Sequence, residues 1–322
     1  MAAPHPTEAR FAQVPIDAGH YESFYLKACH PQQPLGVWIR YTVHKRPGAA
    51  PTGSVWFTLF DAAADGPQAR KLTVPAPSAD PPDWLRVGEA VLGDGVATGA
   101  VEDATWELAF TSAQAPLFHL PRDWMYGAPL PRTKLLSPRP AATFSGRVSV
   151  GERELELDGW RGMVGHNWGA QHAERWIWLH GVTADGDWLD LALGKVKLGP
   201  LTTPWVASGA LAVAGERLAL GGPGRRSQVR ETPRRCDFTV AGKGVRLRGE
   251  AAADAKDFVG WVYADPDGPE HHTVNCSIAD LRLTVERAGQ LPLELAIDGG
   301  AAYELGMREH DHGMPIQPYA DG

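Results

Sequence analysis

The chain of 322 residues is 43% hydrophobic and carries 31 basic against 38 acidic side chains, giving a formal net charge of −7. This composition supports a large folded core, whereas the scattered basic residues argue against a nucleic-acid partner. No apolar run is long enough to cross a bilayer, no signal peptide is recognisable, and three distant cysteines fit neither a disulfide framework nor a zinc site, so we expect a cytoplasmic protein.

The hydrophobic pattern predicts an all-β protein. Apolar residues recur mainly with period two, and 36 glycines and 27 prolines interrupt them every several residues. The predicted strands, in chain order, are residues 37–43, 55–60, 105–110, 144–150, 176–181, 188–194, 207–213, 236–240, 244–250, 259–263 and 281–286. One helical turn is predicted at residues 83–87, between two prolines and Gly88.

The two halves of the chain resemble each other. Trp38 and Ile39 open a strand in the first half, and Trp176 and Ile177 open one in the second. The proline-rich stretch 129–140 lies between them and is typical of a connection. We therefore predict two β domains of ordinary size, at residues 1–140 and 141–322.

Residues 162–181, GMVGHNWGAQHAERWIWLHG, hold three tryptophans and three histidines. Strand alternation places Trp176, Trp178 and His180 on one face, because successive side chains point to opposite sides. The preceding His-Asn-Trp-Gly segment, residues 166–169, is predicted to be a turn at the mouth of whatever that face lines. The cluster as a whole predicts a ligand site.

The same block resembles the signature of the double-lipocalin family, which includes carotenoid hydratases of the hydroxyneurosporene synthase type, tocopherol cyclase and AttH-like proteins. Residues 22–27 (ESFYLK), 38–41 (WIRY) and 303–306 (YELG) extend the resemblance over most of the chain. It implies two lipocalin-like antiparallel β-barrel domains, the second carrying the His-Asn-Trp-Gly motif, with a cavity for an isoprenoid or polyene. It also implies non-redox chemistry, in which an alkene is protonated and water or a phenol captures the cation, without an organic cofactor.

Such chemistry requires an acid, a dry pocket and groups that stabilise a cation without trapping it, and indole faces meet the last requirement. The expected pocket residues are Trp168, Trp176, Trp178 and His180, with Trp38, Arg40, Trp124 and Glu22. Arg40 should pair with Glu22 or another carboxylate, or bind a polar group of the ligand. Asn167 and His166 are expected to position the polar end of the ligand, and Glu174 or His166 to supply a proton.

The identity of the acid is open. Hydratases of the family carry an aspartate directly before the His-Asn pair, whereas this chain has Gly165 there. A carboxyl group buried beside indoles would have its pKa raised and could replace the aspartate. The candidates are Glu174, His166, Glu22, Glu304 and Asp311.

Three classes of function therefore remain. The first is a cyclase or hydratase that protonates a terpenoid or polyene. The second is a scaffold that accelerates a pericyclic or other cyclisation by holding one conformer, which needs no strong acid. The third is a carrier of a hydrophobic ligand. Hydrolase and nucleotide motifs are missing, His310 and His312 are expected in an exposed tail without a metal, and the oligomeric state stays open.

Overall fold

The computed structural model describes residues 4–199 and 201–319. In these residues the chain forms antiparallel strands and three short 3-10 turns, Phe11–Gln13, Asp123–Tyr126 and Ala255–Asp257. No helical segment in the described ranges has the length and apolar character needed to cross a membrane. The three cysteines are buried and free.

The first sheet contains the strands up to Gly169. They are β1 (His20–Cys29), β2 (Leu35–Lys45), β3 (Thr52–Asp61), β4 (Gln68–Pro75), β5 (Asp83–Val87), β6 (Ala90–Gly93), β7 (Val96–Val101), β8 (Ala104–Thr111), β9 (Leu117–Phe118), β10 (Thr133–Val150) and β11 (Arg153–Gly169). Their order is β4-β3-β2-β1-β11-β10-β8-β7-β6-β5, and β9 pairs with β10 beside this path.

The remaining strands form the second sheet and one small hairpin. They are β12 (Arg175–Val182), β13 (Trp188–Lys195), β14 (Lys197–Leu198), β15 (Leu201–Thr202), β16 (Val206–Val213), β17 (Glu216–Gly221), β18 (Ser227–Thr232), β19 (Arg235–Ala241), β20 (Val245–Ala252), β21 (Val259–Ala264), β22 (Glu270–Arg287) and β23 (Leu293–Met307). The order of the second sheet is β17-β16-β13-β12-β23-β22-β20-β19-β18, with β21 beside β22 and the hairpin β14-β15 separate.

The two sheets share one topology. In each sheet, the first four strands of that half, leaving out the small hairpin, lie side by side in chain order. The last strand of the half pairs with the first strand, and the strands that precede the last one in the chain continue the sheet beyond it. The edges of each sheet curl towards each other, as shown by the bridges Ser78 to Arg86 and Leu220 to Gly242. The prediction of an all-β, lipocalin-like protein with two similar halves is confirmed.

The change from one sheet to the other occurs between Gly169 and Arg175, about 30 residues beyond the predicted domain boundary at 140/141. Pro138 and Pro140 therefore lie within β10 and do not connect the halves. The His-Asn-Trp-Gly segment is the end of β11 in the first sheet and not a turn in the second half. Its glycine resembles a turn signal in the sequence, but a Cβ at Gly169 would lie 1.9 Å from the backbone oxygen of Arg132, directly before β10.

The helical turn predicted at residues 83–87 is also wrong, because these residues form strand β5. Leu85 and Val87 are buried and Arg86 between them is exposed. This alternation has the period of a strand, and it outweighs the entry and exit signals given by the flanking prolines and Gly88.

Three layers of apolar side chains hold the fold together. Alternate residues such as Phe24 and Ile39 fill the inside of the first sheet, and residues such as Leu191 fill the inside of the second. The opposite faces of the two sheets meet, and there the indole of Trp56 packs edge-on against Trp261 with ring centroids 5.0 Å apart. The site described below lies in this third layer.

Candidate active site

A cavity of about 470 Å³ lies between the facing sides of the two sheets. This volume is within the range of small-molecule pockets. The first sheet contributes Tyr21, Tyr25, Trp38, Arg40 and Asn167, and the second contributes Trp176, Trp178, Ala192 and Glu304. The segment before β10 and the first residues of β10 cover them with His119, Met125, Leu130 and Leu135. The proline-rich stretch predicted as a connection is thus partly the roof of the cavity.

Strand parity decides which motif residues reach the cavity. Tyr25 lies directly opposite Arg40 on β2 and Gly165 on β11, so all three share the face that points to the second sheet. Phe24 lies opposite His166, and this pair points into the first sheet instead. His166 and its neighbour Asn167 therefore cannot both reach the ligand, and Asn167 is the one that lines the cavity.

Arg40 is the unusual group of this face. Its side chain is buried, Nε donates a hydrogen bond to Ser23 Oγ at 2.7 Å, and the guanidinium carbon lies 3.8 Å from the centroid of the Tyr263 ring. Among the described residues its Nη1 has no hydrogen-bond partner and no carboxylate forms an ion pair with it. A buried cation of this kind is costly unless something completes its bonding, so Nη1 is available to a ligand oxygen.

Tyr25 occupies the space that a side chain at position 165 would need. A Cβ added to Gly165 would lie 2.2 Å from Tyr25 Cζ and 2.5 Å from its hydroxyl oxygen. Burial raises the pKa of the Tyr25 phenol well above its ordinary value, so the group is a neutral donor. The phenol of Tyr25 thus covers Gly165 on the same face of the sheet as Arg40.

Glu304 lies on the opposite wall. Its carboxylate accepts hydrogen bonds from Trp176 Nε1 at 2.9 Å, Asn275 Nδ2 at 3.0 Å and Tyr263 Oη at 3.4 Å. Gly306 makes this arrangement possible, because a Cβ there would lie 2.2 Å from the Trp176 indole. The carboxylate thereby fixes the orientation of the aromatic wall.

A second buried carboxylate holds the other indole. Asp190 accepts hydrogen bonds from Ser137 Oγ at 2.5 Å and Trp178 Nε1 at 3.2 Å, and His119 Nε2 lies 3.6 Å away. Burial alone would raise the pKa of Asp190, but His119 and the hydrogen-bond donors hold it below the ordinary value. Asp190 is therefore ionised and is not a stored acid.

Three of the predicted site residues, Glu22, His166 and Trp168, form a separate buried group that does not line the cavity. His166 Nε2 bonds Glu22 Oε1 at 2.8 Å, and Glu22 also accepts the backbone N–H groups of Arg10 and Phe11. Burial opposes ionisation, but the bonds from the histidines lower the pKa of Glu22 to about 2. Trp168 packs over the same segment, with Arg10 5.7 Å from its centroid. This group fastens the N-terminal segment, and Arg40 pairs with Ser23 rather than with Glu22.

Other predicted residues also lie outside the cavity lining. Glu174 forms an ion pair with Arg308 at 3.2 Å, and Trp124 is 55% exposed. His180 lies on the predicted face but is fully buried behind Trp178, with Nε2 2.9 Å from a backbone oxygen of β10. Asp311 is exposed. Trp38, Arg40, Asn167, Trp176 and Trp178 are brought together at the cavity.

Sequence reasoning missed Tyr25 and Asp190 as site residues. Asp190 is the lone charge in an otherwise apolar strand, residues 188–193 (WLDLAL), which is a signal that the sequence does contain. Tyr25 has no such signal, because an aromatic residue in a strand is usually core. Only its pairing with Gly165 across two strands identifies it.

Comparison with known proteins gives relatives and a fold. No protein-family model matches the chain. The uncharacterized protein Rv0493c of Mycobacterium tuberculosis (strain H37Rv) is 27% identical over 318 residues, which is 94% of this chain and 91% of the relative. The uncharacterized protein MT0513 of strain CDC 1551 has the same identity and coverage.

Among solved structures, the chain is similar to an AttH-like protein from Nitrosomonas europaea, with a TM-score of 0.57, 16% identity, and coverage of 94% of this chain and 97% of the other. It is similar to CghA solved with Sch210972, with a TM-score of 0.61, 14% identity and 95% coverage of both chains. Kievitone hydratase from Nectria haematococca gives a TM-score of 0.55, 9% identity and coverage of 92% and 90%. The chain thus has the lipocalin-like fold of these proteins.

Proposed function

We propose that the chain is an enzyme that cyclises a hydrophobic, polyene-like small molecule bearing a carbonyl or acidic head group. The observation that carries this proposal is Arg40, a buried cation in an aromatic cavity whose Nη1 has no partner among the described residues. A solvent-exposed arginine would need no such partner. A purely apolar ligand would leave this one unpaired, so the ligand must bring an oxygen.

The proposed mechanism combines charge stabilisation with conformational restraint. Arg40 and the neutral phenol of Tyr25 lie on one face of the sheet and donate to the head-group oxygen, where negative charge builds up in the transition state. Trp176 and Trp178 are held by their carboxylate partners and restrain the polyene in one folded conformer. The reacting atoms of the polyene are thereby held close together in a geometry from which they can react. No organic cofactor takes part in these steps.

Alkene protonation, expected from the family resemblance, has less support in this chain. It would require a protonated carboxyl group facing the substrate. The position that holds the aspartate in the hydratases is Gly165, Tyr25 is a weak acid with a raised pKa, and Asp190 is ionised. The fold shared with kievitone hydratase keeps hydration as a second candidate, with Glu304 as the remaining carboxyl group at the cavity.

A single comparison separates the three classes. The purified protein is incubated with an apolar extract of its own host, and the products are followed by liquid chromatography and mass spectrometry. A cyclase yields a new species of unchanged mass, a hydratase yields the mass of an added water, and a carrier binds a compound without converting it. We expect the unchanged-mass product, and we expect it to be lost in Tyr25→Phe. If the native protein forms no more product than a heat-inactivated sample does, the proposal of catalysis is refuted.

A further inference from the structure

A cluster of three potential ligands lies at one edge of the cavity, outside the machinery described above. His172 is in the linker between the two sheets, Asp265 follows β21, and His271 is the second residue of β22, the next strand of that hairpin. One donor atom from each lies within 4.8 Å of the other two. The cluster therefore joins the linker to the second sheet.

Asp265 orients the first histidine. Its Oδ1 accepts hydrogen bonds from the His172 backbone N–H at 2.7 Å and from His172 Nδ1 at 2.8 Å. Its Oδ2 has no hydrogen-bond partner among the described residues, although Arg308 Nη2 lies 3.7 Å away. A buried carboxylate thus keeps one oxygen available towards the cluster.

The burial of His271 has no evident role in the packing of the fold. The side chain is fully buried, and within the described chain neither of its ring nitrogens has a hydrogen-bond partner. The Nε2 of His172 also lacks one. Buried polar atoms are normally satisfied, and each unsatisfied one costs free energy. One ion could bind one ring nitrogen of His271 together with Oδ2 of Asp265, and it would then satisfy one unpaired atom of each residue.

We propose that His172, Asp265 and His271 bind a divalent transition-metal ion of the Zn²⁺ type. Two imidazoles and one carboxylate are a ligand set that such ions use at open sites. Two nitrogens on one tetrahedral Zn²⁺ at about 2.0–2.1 Å are about 3.4 Å apart, so ligand atoms that lie within 4.8 Å of one another must move closer together. A rotation of the His271 ring towards Asp265 and His172 would provide this movement.

The position of the cluster links it to the ligand cavity. His172 lines that cavity, stacks on Tyr21 with centroids 3.9 Å apart, and lies 5.4 Å from Trp176. The His271 ring is 5.0 Å from the same indole. A metal held here would lie beside the cavity, and its binding would change the environment of Trp176.

The test uses tag-free full-length protein, stripped with a chelator and titrated with Zn²⁺ or Co²⁺. We expect a single equivalent to bind, with a visible Co²⁺ ligand-field spectrum and a change in tryptophan fluorescence. His271→Ala should weaken binding by more than about 100-fold, since a ligand is lost. His172→Gln should do the same, and it provides a second reading if the first variant does not fold, as checked by circular dichroism.

A matched control comes from the second histidine cluster. His272 bonds His312 at 2.8 Å and His310 at 2.9 Å on the surface side, and the double variant His310→Ala/His312→Ala should leave binding unchanged. Arg308→Met should tighten binding, because a cation is removed from beside Asp265. Binding that survives both His271→Ala and His172→Gln, or that disappears in the His310/His312 variant, would overturn the proposal, as would a stripped protein that takes up no metal.

Discussion

Arg40→Met is the substitution that most sharply separates a ligand site from a structural element. Methionine keeps the unbranched stem of the side chain to about the position of Nε but has no charge and no N–H donor. If Arg40 serves a ligand, the change removes a charge-assisted hydrogen bond only when that ligand is present. If Arg40 serves the fold, the damage appears in the protein alone.

The expected magnitude for binding follows from the unpaired Nη1. A hydrogen bond to a charged group contributes about 1.5–3 kcal/mol, which corresponds to roughly 10- to 150-fold in affinity. Retinoic acid and retinol are suitable probes, because they share one polyene and differ in the carboxylate. The wild-type protein should prefer the acid by this factor, and Arg40→Met should bind both about equally.

The stability of the ligand-free protein should change little. The variant loses the cation–π contacts with Tyr263 at 3.8 Å and Trp56 at 5.3 Å, which contribute about 0.5–2 kcal/mol, and leaves Ser23 Oγ without its donor. It also removes a buried, incompletely bonded cation, which is a gain of about 1–3 kcal/mol. These effects offset each other to within about 1 kcal/mol.

The assay pairs quenching of tryptophan fluorescence by the two retinoids with urea unfolding of the same samples. Arg86→Met is the matched control, since Arg86 is exposed and, within the described part of the chain, its side chain pairs with Asp83 alone. A loss of several kcal/mol in unfolding free energy, with an unchanged preference for retinoic acid, would refute the reasoning and make Arg40 a structural residue.

Two further predictions concern the packing and titration of the site. Gly165→Ala should destabilise the protein by about 1–3 kcal/mol through overpacking against Tyr25; in a double-mutant cycle with Tyr25→Ala the cost should largely vanish, and additive effects would contradict the contact. Burial lowers the pKa of His180 from 6.5 to about 4. As the pH falls, the histidine is therefore protonated in the unfolded chain before it is protonated in the folded one. Its contribution to stability is present above pH 6.5 and is lost as the pH falls towards 4, by about 3 kcal/mol. His180→Gln should flatten the pH dependence of urea unfolding over that window, and an unchanged slope would contradict the assignment.

Much of the fold could be predicted because strand periodicity is a local signal. The alternation around Trp176 and Trp178 fixes which side chains share a face, and the structure places both at the cavity. The Trp38 and Arg40 pair follows the same rule on β2. Their parity needs no knowledge of distant parts of the chain.

The rest depends on contacts that sequence patterns do not contain. Strand β11 resembles a turn because it is rich in glycine, but Gly162 is required by a backbone approach in which an added Cβ would lie 1.6 Å from Lys27 O. The roles of His166 and Asn167 depend on which face of that strand meets the second sheet. His172 and Asp265 are 93 residues apart and meet only in the folded chain.

A crystal structure of this protein with retinoic acid bound would test the central claim most directly. The account predicts the polyene between the two sheets, against Trp176 and Trp178, with the carboxylate about 2.7–2.9 Å from Arg40 Nη1. A ligand inside either sheet's own core, or one between the sheets with its carboxylate turned away from Arg40 towards solvent, would contradict it.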